Sequence, residues 1–214
     1  VSRFAKITVV AATCAGLVMA PGAAQAEVAP TALGSVGEVD VTLDGTVSEV
    51  APIAPCTLGA TESNRTSGVT EGDTKYGAGE TSCVTMPGGF ARAEVKGSRF
   101  ETKVLRRFGG PTIKVRTYLA RCDTTKTGAA GYVELSGLSG VSVPSSIPAN
   151  HKITVPAPDG GKPLAEVMVN ELIAPTPPDG SLRTNLMRIT LFPQGGPASG
   201  EIVVGSAACD PFGG

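Results

Sequence analysis

Ile113-Lys114-Val115-Arg116-Thr117-Tyr118-Leu119 alternates apolar and polar side chains, and its polar side carries cations. Successive side chains of an extended strand point to opposite faces. The segment therefore reads as a strand that buries Ile113, Val115 and Leu119 and turns Lys114 and Arg116 to water. One dry and one wet face is the pattern of an antiparallel sheet covered on one side. Working outward, similar short runs occupy 90–95, 100–105, 112–121, 132–135, 153–155, 165–172, 182–191 and 202–204, separated by turn-rich clusters. Upstream, Val39-Asp40-Val41-Thr42-Leu43 alternates before Asp44-Gly45, a dipeptide suited to a two-residue hairpin turn, and the alternation resumes at Val47. In 182–191 the apolar parity changes from Leu182 and Leu186 to Met187, Ile189 and Leu191, which predicts a β-bulge near Leu186.

No window carries a helical period. Many short strands at a spacing of roughly ten residues predict an all-β, antiparallel β-sandwich. A β-barrel or a β-solenoid is the alternative, and a solenoid requires a fixed repeat that the sequence does not display. The composition agrees. Gly (28) and Pro (17) make up about a fifth of the 214 residues, against roughly 12% in an average protein, which favours turns over long helices. With 41% apolar and 17% charged residues and a mean hydropathy of +0.14, the chain is no disordered polyelectrolyte.

Arg3 and Lys6 precede an uncharged stretch over 7–20, followed by Pro21 and the small residues of Ala24-Gln25-Ala26. This predicts a signal peptide over 1–26. The stretch falls short of the roughly 20 residues that cross a bilayer, and no transmembrane segment is expected. Residues 27–37 are small and read as a flexible tail, 38–210 as a single β-rich domain, and 211–214 as a C-terminal tail. Residues 56–82, rich in Thr, Ser, Gly and Glu, read as a long surface loop. Asn64-Arg65-Thr66 within them matches a glycosylation tripeptide too short to be informative.

Cleavage after Ala26 removes Cys14 and leaves Cys56, Cys83, Cys122 and Cys209. An even number in an exported chain predicts two disulfides. Of the three possible connectivities we favour Cys56–Cys83 with Cys122–Cys209. There is no CxxC spacing and only one imidazole, so neither a metal site nor a cofactor is expected.

His151 is the single histidine, and no GxSxG elbow, HExxH helix or P-loop accompanies it. Enzymatic activity is not expected. Asp40, Asp44 and Glu49 read as a solvated face rather than a calcium site. Charge is distributed unevenly. Residues 27–91 hold two cations and nine carboxylates, 92–121 nine cations and two carboxylates, and 122–214 five cations and eight carboxylates. Within the basic segment 92–121, Arg92, Lys96, Lys103, Lys114 and Arg116 are the candidate polyanion-binding residues. Outside a cell their partner would be an anionic cell-wall polymer or acidic polysaccharide, or another surface protein. Phe100, Phe108 and Tyr118 provide too little aromatic interleaving for nucleic acid. The competing reading is a solvated face balanced by the acidic N-terminal third.

Three segments carry a family resemblance in their order along the chain: Val169-Asn170-Glu171, Asp179-Gly180-Ser181-Leu182-Arg183-Thr184-Asn185-Leu186 and Ile202-Val203-Val204-Gly205-Ser206-Ala207-Ala208-Cys209. Together they resemble the choice-of-anchor P family of secreted actinobacterial proteins, over roughly residues 110–210, with Arg121-Cys122 extending the match. The resemblance implies export and a β-rich body, followed in some members by a surface-sorting tail, and it brings no catalytic residues. Asp210-Pro211-Phe212-Gly213-Gly214 contains no LPxTG-like signal, which implies release from the cell or noncovalent retention. The expected protein is a secreted, disulfide-stabilised, non-enzymatic binding or structural module, extracellular or wall-associated. The alternatives are an extracellular hydrolase built on His151 and an exported protease inhibitor with a rigid loop beside a disulfide.

Overall fold

A computed structural model describes residues 29–213; the predicted signal peptide lies outside the described residues. The strands are β1 (Thr31–Leu43), β2 (Thr46–Val50), β3 (Cys56–Thr57), β4 (Ser63–Thr66), β5 (Val69–Glu71), β6 (Thr74–Tyr76), β7 (Gly79–Met86), β8 (Phe90–Thr102), β9 (Ile113–Thr124), β10 (Ala129–Ser136), β11 (His151–Val155), β12 (Ala165–Ile173), β13 (Leu182–Leu191) and β14 (Ala198–Asp210), with a 3-10 turn at Val104–Phe108. One sheet runs β11-β12-β13-β14-β1-β2, with β3 also pairing β1. The other runs β10-β9-β8, and β8 then pairs β7 along one stretch and β6 along another. All of these pairings are antiparallel. The sheets stay open and pack face to face, so the fold is a β-sandwich.

Both expected disulfides form. Cys56–Cys83 joins β3 to β7 and Cys122–Cys209 joins β9 to β14, with Cα separations of 5.7 and 5.6 Å. Each bridge crosses from one sheet to the other. Asp44-Gly45 makes the predicted hairpin turn, both residues at positive φ.

Several expectations are corrected. Residues 27–37 are no flexible tail from Thr31 onward, where β1 begins and pairs β14 over Thr31–Leu43. Its small residues are a packing requirement, because a Cβ at Gly37 would lie 2.3 Å from the Tyr76 ring, and one at Gly34 3.0 Å from Cys56 Sγ. Residues 56–82 are no long loop either. They hold the short strands β3 to β6 and the start of β7, each too brief to show alternation. The separate runs at 90–95 and 100–105 merge into β8, which ends at Thr102; Val104 and Leu105 belong to the 3-10 turn, buried.

The parity change in β13 is real, since Leu186 and Met187 are both buried. No extra residue is inserted, however. Asn185 pairs Glu171 and Ser206, and Met187 pairs Val169 and Val204, leaving one residue on every strand between them. The residues opposite Leu186 are Asn170 (φ 55°) and Gly205 (φ 61°). Left-handed residues thus flank Leu186 on both partner strands, and each strand keeps one residue in the row, so the parity change belongs to the row as a whole, a bend of the sheet without a bulge.

The second sheet bends in the same way. Arg99 (φ 54°) lies opposite Arg116, between the pairs Ser98↔Thr117 and Phe100↔Val115. The inward residues of β9 are therefore Ile113 and Val115 before the bend, and Tyr118, Ala120 and Cys122 after it. Leu119 is turned to the outer face, contrary to the strict alternation read from the sequence. Two buried tyrosines close the space between the bends. Tyr118 donates to the Val36 carbonyl (3.0 Å), and the Tyr76 hydroxyl bridges the carbonyls of Glu38 (2.9 Å) and Val203 (2.7 Å). Burial raises the pKa of both hydroxyls above the usual tyrosine range, which keeps them protonated donors.

Candidate anion-binding site

Antiparallel register assigns each cation of the basic segment its neighbours. On one side of the bend, Arg92 sits opposite Asp123 and binds it through two nitrogens, at 2.5 and 3.2 Å. Lys96 pairs with Glu94 at 2.8 Å and lies 3.9 Å from Glu80. Arg121 stacks over the Tyr132 ring, 5.0 Å from its centroid. The carboxylates raise the pKa of Arg92 and Lys96. This half of the outer face is a ladder of matched charges.

Beyond the bend the balance is lost. Lys75 of β6, Glu101 of β8 and Lys114 of β9 form one cross-strand row, extended by the bridge from Lys114 to Ser139. Arg99 and Arg116 form the adjacent row. Lys114 and Lys103 both reach Glu101, at 2.9 and 3.1 Å, and these hydrogen bonds lower its pKa. Among the described residues Lys75, Arg99 and Arg116 make no ion pair or side-chain hydrogen bond, and all three are exposed. They line a concave cleft of about 690 Å³ shared with Lys114, Glu101 and Ser139. Four cations thus face a single carboxylate across one cavity.

Of the five residues singled out in the sequence, the bend brings Lys114 and Arg116 together with Lys103 alongside, and leaves Arg92 and Lys96 in the matched half. Lys75 escaped attention because it lies outside the basic segment 92–121, in a stretch of net negative charge. Only the pairing of β6 with the end of β8 carries it to the cleft.

The remaining candidates fall elsewhere. Asp40 is flanked by Glu49 and Glu201 on neighbouring strands of the first sheet. Among the described residues no group of three His, Cys, Asp or Glu side chains is placed to hold a metal ion. His151 opens β11, half-buried, and its side chain makes no hydrogen bond or ion pair among the described residues. Asn64-Arg65-Thr66 lies on β4, paired with β7. No helix of the described residues is long and apolar enough to cross a membrane. No family model, curated protein or solved structure matches the chain.

Proposed function

We propose that the protein is an exported, non-enzymatic binding module that holds an anionic polymer of the cell surface on the outer face of its second sheet. The observation carrying this reading is the cleft in which Lys75, Arg99 and Arg116 have no protein partner while the rest of the same face is charge-matched. Unneutralised cations in a concave site raise the local concentration of anions. Export is supported by the N-terminal pattern, by two disulfides that join the sheets and by the resemblance to the choice-of-anchor P family, to which we assign the chain on its three ordered segments.

The test is retention on isolated cell wall. Binding that releases counterions falls with salt by about 0.7 log units per decade for each neutralised charge on a flexible strand. Three free cations therefore predict a loss of roughly 100-fold between 20 and 200 mM salt. Reversing Lys114 and Arg116 to glutamate should abolish retention while lowering stability by about 1 kcal/mol, because both side chains are exposed and only Lys114 gives up an ion pair, with Glu101. Retention that survives the reversal, or is missing in the unmodified protein at low salt, refutes the reading.

One observation favours the inhibitor alternative. The loop of residues 174–180, Ala-Pro-Thr-Pro-Pro-Asp-Gly, is exposed along almost its whole length and stiffened by three prolines. It leads into Leu182, which pairs with the disulfide-bonded Cys209. Titration against secreted serine proteases distinguishes this loop from the basic cleft as the working surface.

A further inference from the structure

We infer that the cleft at the bend of the second sheet is a phosphoryl subsite, which takes one phosphodiester of a linear polymer in preference to a carboxylate; this rests on the polyanion reading above. The cations reach it from three strands: Lys75 from β6, Arg99 from β8, and Lys114 and Arg116 from β9. Arg99 and Arg116 hold matching register positions on neighbouring strands, so two guanidinium forks start about 4.8 Å apart. A planar carboxylate is satisfied by one such fork. A tetrahedral phosphoryl group accepts hydrogen bonds from donors outside any single plane, which is how donors arranged around a concave cleft approach it. Ser67, Thr70 and Ser139 line the same cavity and add hydroxyl donors.

The backbone provides an independent argument. Arg99 occupies the left-handed region at φ 54°, which glycine enters freely and an arginine only at a cost. The chain has glycines at Gly77 and Gly97 close by, yet keeps a charged side chain with no partner at the strained position. Strain retained without an internal contact points to a contact outside the protein. The exposed large apolar side chains Leu33, Val47, Tyr132, Ile173 and Phe212 all lie away from the cleft. A soluble or wall-bound polymer therefore fits better than a phospholipid surface.

The experiment uses the oxidised secreted protein, with fluorescent poly(glycerol phosphate) and polyglutamate of matched length and charge, at low salt. The phosphodiester polymer should bind about tenfold more tightly. Arg99→Lys with Arg116→Lys keeps the charge and loses the forks, and should erase the preference, the phosphodiester polymer losing more affinity than polyglutamate. Arg99→Gly with Arg116→Gln should weaken both polymers with an unchanged circular dichroism spectrum. Equal affinity of the unmodified protein for both polymers overturns the phosphoryl inference and leaves the polyanion reading standing. Failure to bind either polymer defeats both. Binding indifferent to Arg99→Gly with Arg116→Gln, or seen with anionic phospholipid vesicles and not with poly(glycerol phosphate), also overturns the subsite.

Discussion

Replacing Arg99 by glycine should make the protein more stable and a weaker binder of anions at the same time. The left-handed conformation costs an ordinary L-residue about 1–2 kcal/mol, and Arg99 adopts it at φ 54° inside a strand. Glycine relieves that cost but adds chain entropy to the unfolded state, worth roughly 0.5–1 kcal/mol. The side chain is exposed and makes no ion pair or hydrogen bond among the described residues, so no polar contact is lost. The ladder pairs Ser98↔Thr117 and Phe100↔Val115 are untouched. The net expectation is a gain of about 0–1.5 kcal/mol. At about 2–4 °C per kcal/mol for a domain of this size, the midpoint rises by up to roughly 6 °C. Arg116→Gly is the control. Arg116 sits opposite, has no positive φ and is likewise unpaired, so glycine there brings the entropic penalty without relief and should lose about 0.5–1 kcal/mol. Both substitutions remove one charge from the same cluster, so the opposite signs isolate the backbone. Thermal and urea denaturation of the oxidised variants at one salt concentration measure the difference. A loss of stability in Arg99→Gly, or shifts of the same sign in both, would refute the claim that strain at Arg99 is held for binding.

The buried tyrosines predict alkaline sensitivity. Tyr76 and Tyr118 have raised pKa values in the folded state, so the unfolded chain loses these protons first. Their stability contribution is complete below about pH 10 and is lost as pH rises further, at about 1.4 kcal/mol per pH unit for each tyrosine. Urea titrations should show this slope, and Tyr118→Phe should halve it while costing about 1–3 kcal/mol at neutral pH by stranding the Val36 carbonyl. The disulfides close loops with separations of 27 and 87 residues, so chain entropy gives about 3.6 kcal/mol for Cys56–Cys83 and about 4.6 kcal/mol for Cys122–Cys209. Paired alanine replacements followed by urea denaturation test that order, and intact mass after alkylation should show no free thiol in the secreted protein. Finally, Glu101→Gln releases Lys103 and Lys114 and should tighten poly(glycerol phosphate) binding several-fold with a steeper salt dependence. Weaker binding would mean that the carboxylate orders the cleft.

The β class was legible because alternation survives over stretches of the longer strands, as in Val39 to Leu43 and Ile113 to Val115. Two disulfides were legible from the count of four cysteines, whereas the pairing was a choice among three connectivities that the folded strands decide. The bends were not, because local sequence does not announce them. Arg99 has no intrinsic preference for positive φ, and Asn170 tolerates it without requiring it. The parity change in β13 did register the first bend. A bulge and a bend set by left-handed residues on the partner strands leave the same trace in β13, and only the pairing, with one residue each at Asn170, Leu186 and Gly205, separates them. The 31–37 segment was misread for a related reason. Small residues signal flexibility when nothing packs on them, whereas here Tyr76 and the Cys56 sulfur take the space that larger side chains would fill.

Charge shows the same limit and explains the form of the site. Counting along the chain makes 92–121 a uniform block of nine cations, but neutralisation depends on what lies across the strand. Arg92 faces Asp123, and Lys96 shares its face with Glu94 and Glu80, each from an adjacent position in the ladder. Past Arg99 the change of parity shifts which residues share the outer face. Glu101 is then the one carboxylate against Lys75, Lys114 and the paired arginines. The bend therefore does two things with one residue. It turns the inner face to admit the Tyr118 ring against Gly97, and it breaks the charge ladder so that a cationic cleft remains unfilled. A sheet of the same composition without a left-handed residue at position 99 would continue its alternation, and the surplus would not gather in one concavity. The link between strain and charge is thus geometrical: the backbone that is costly to hold at Arg99 is the backbone that separates the matched from the unmatched half of the face.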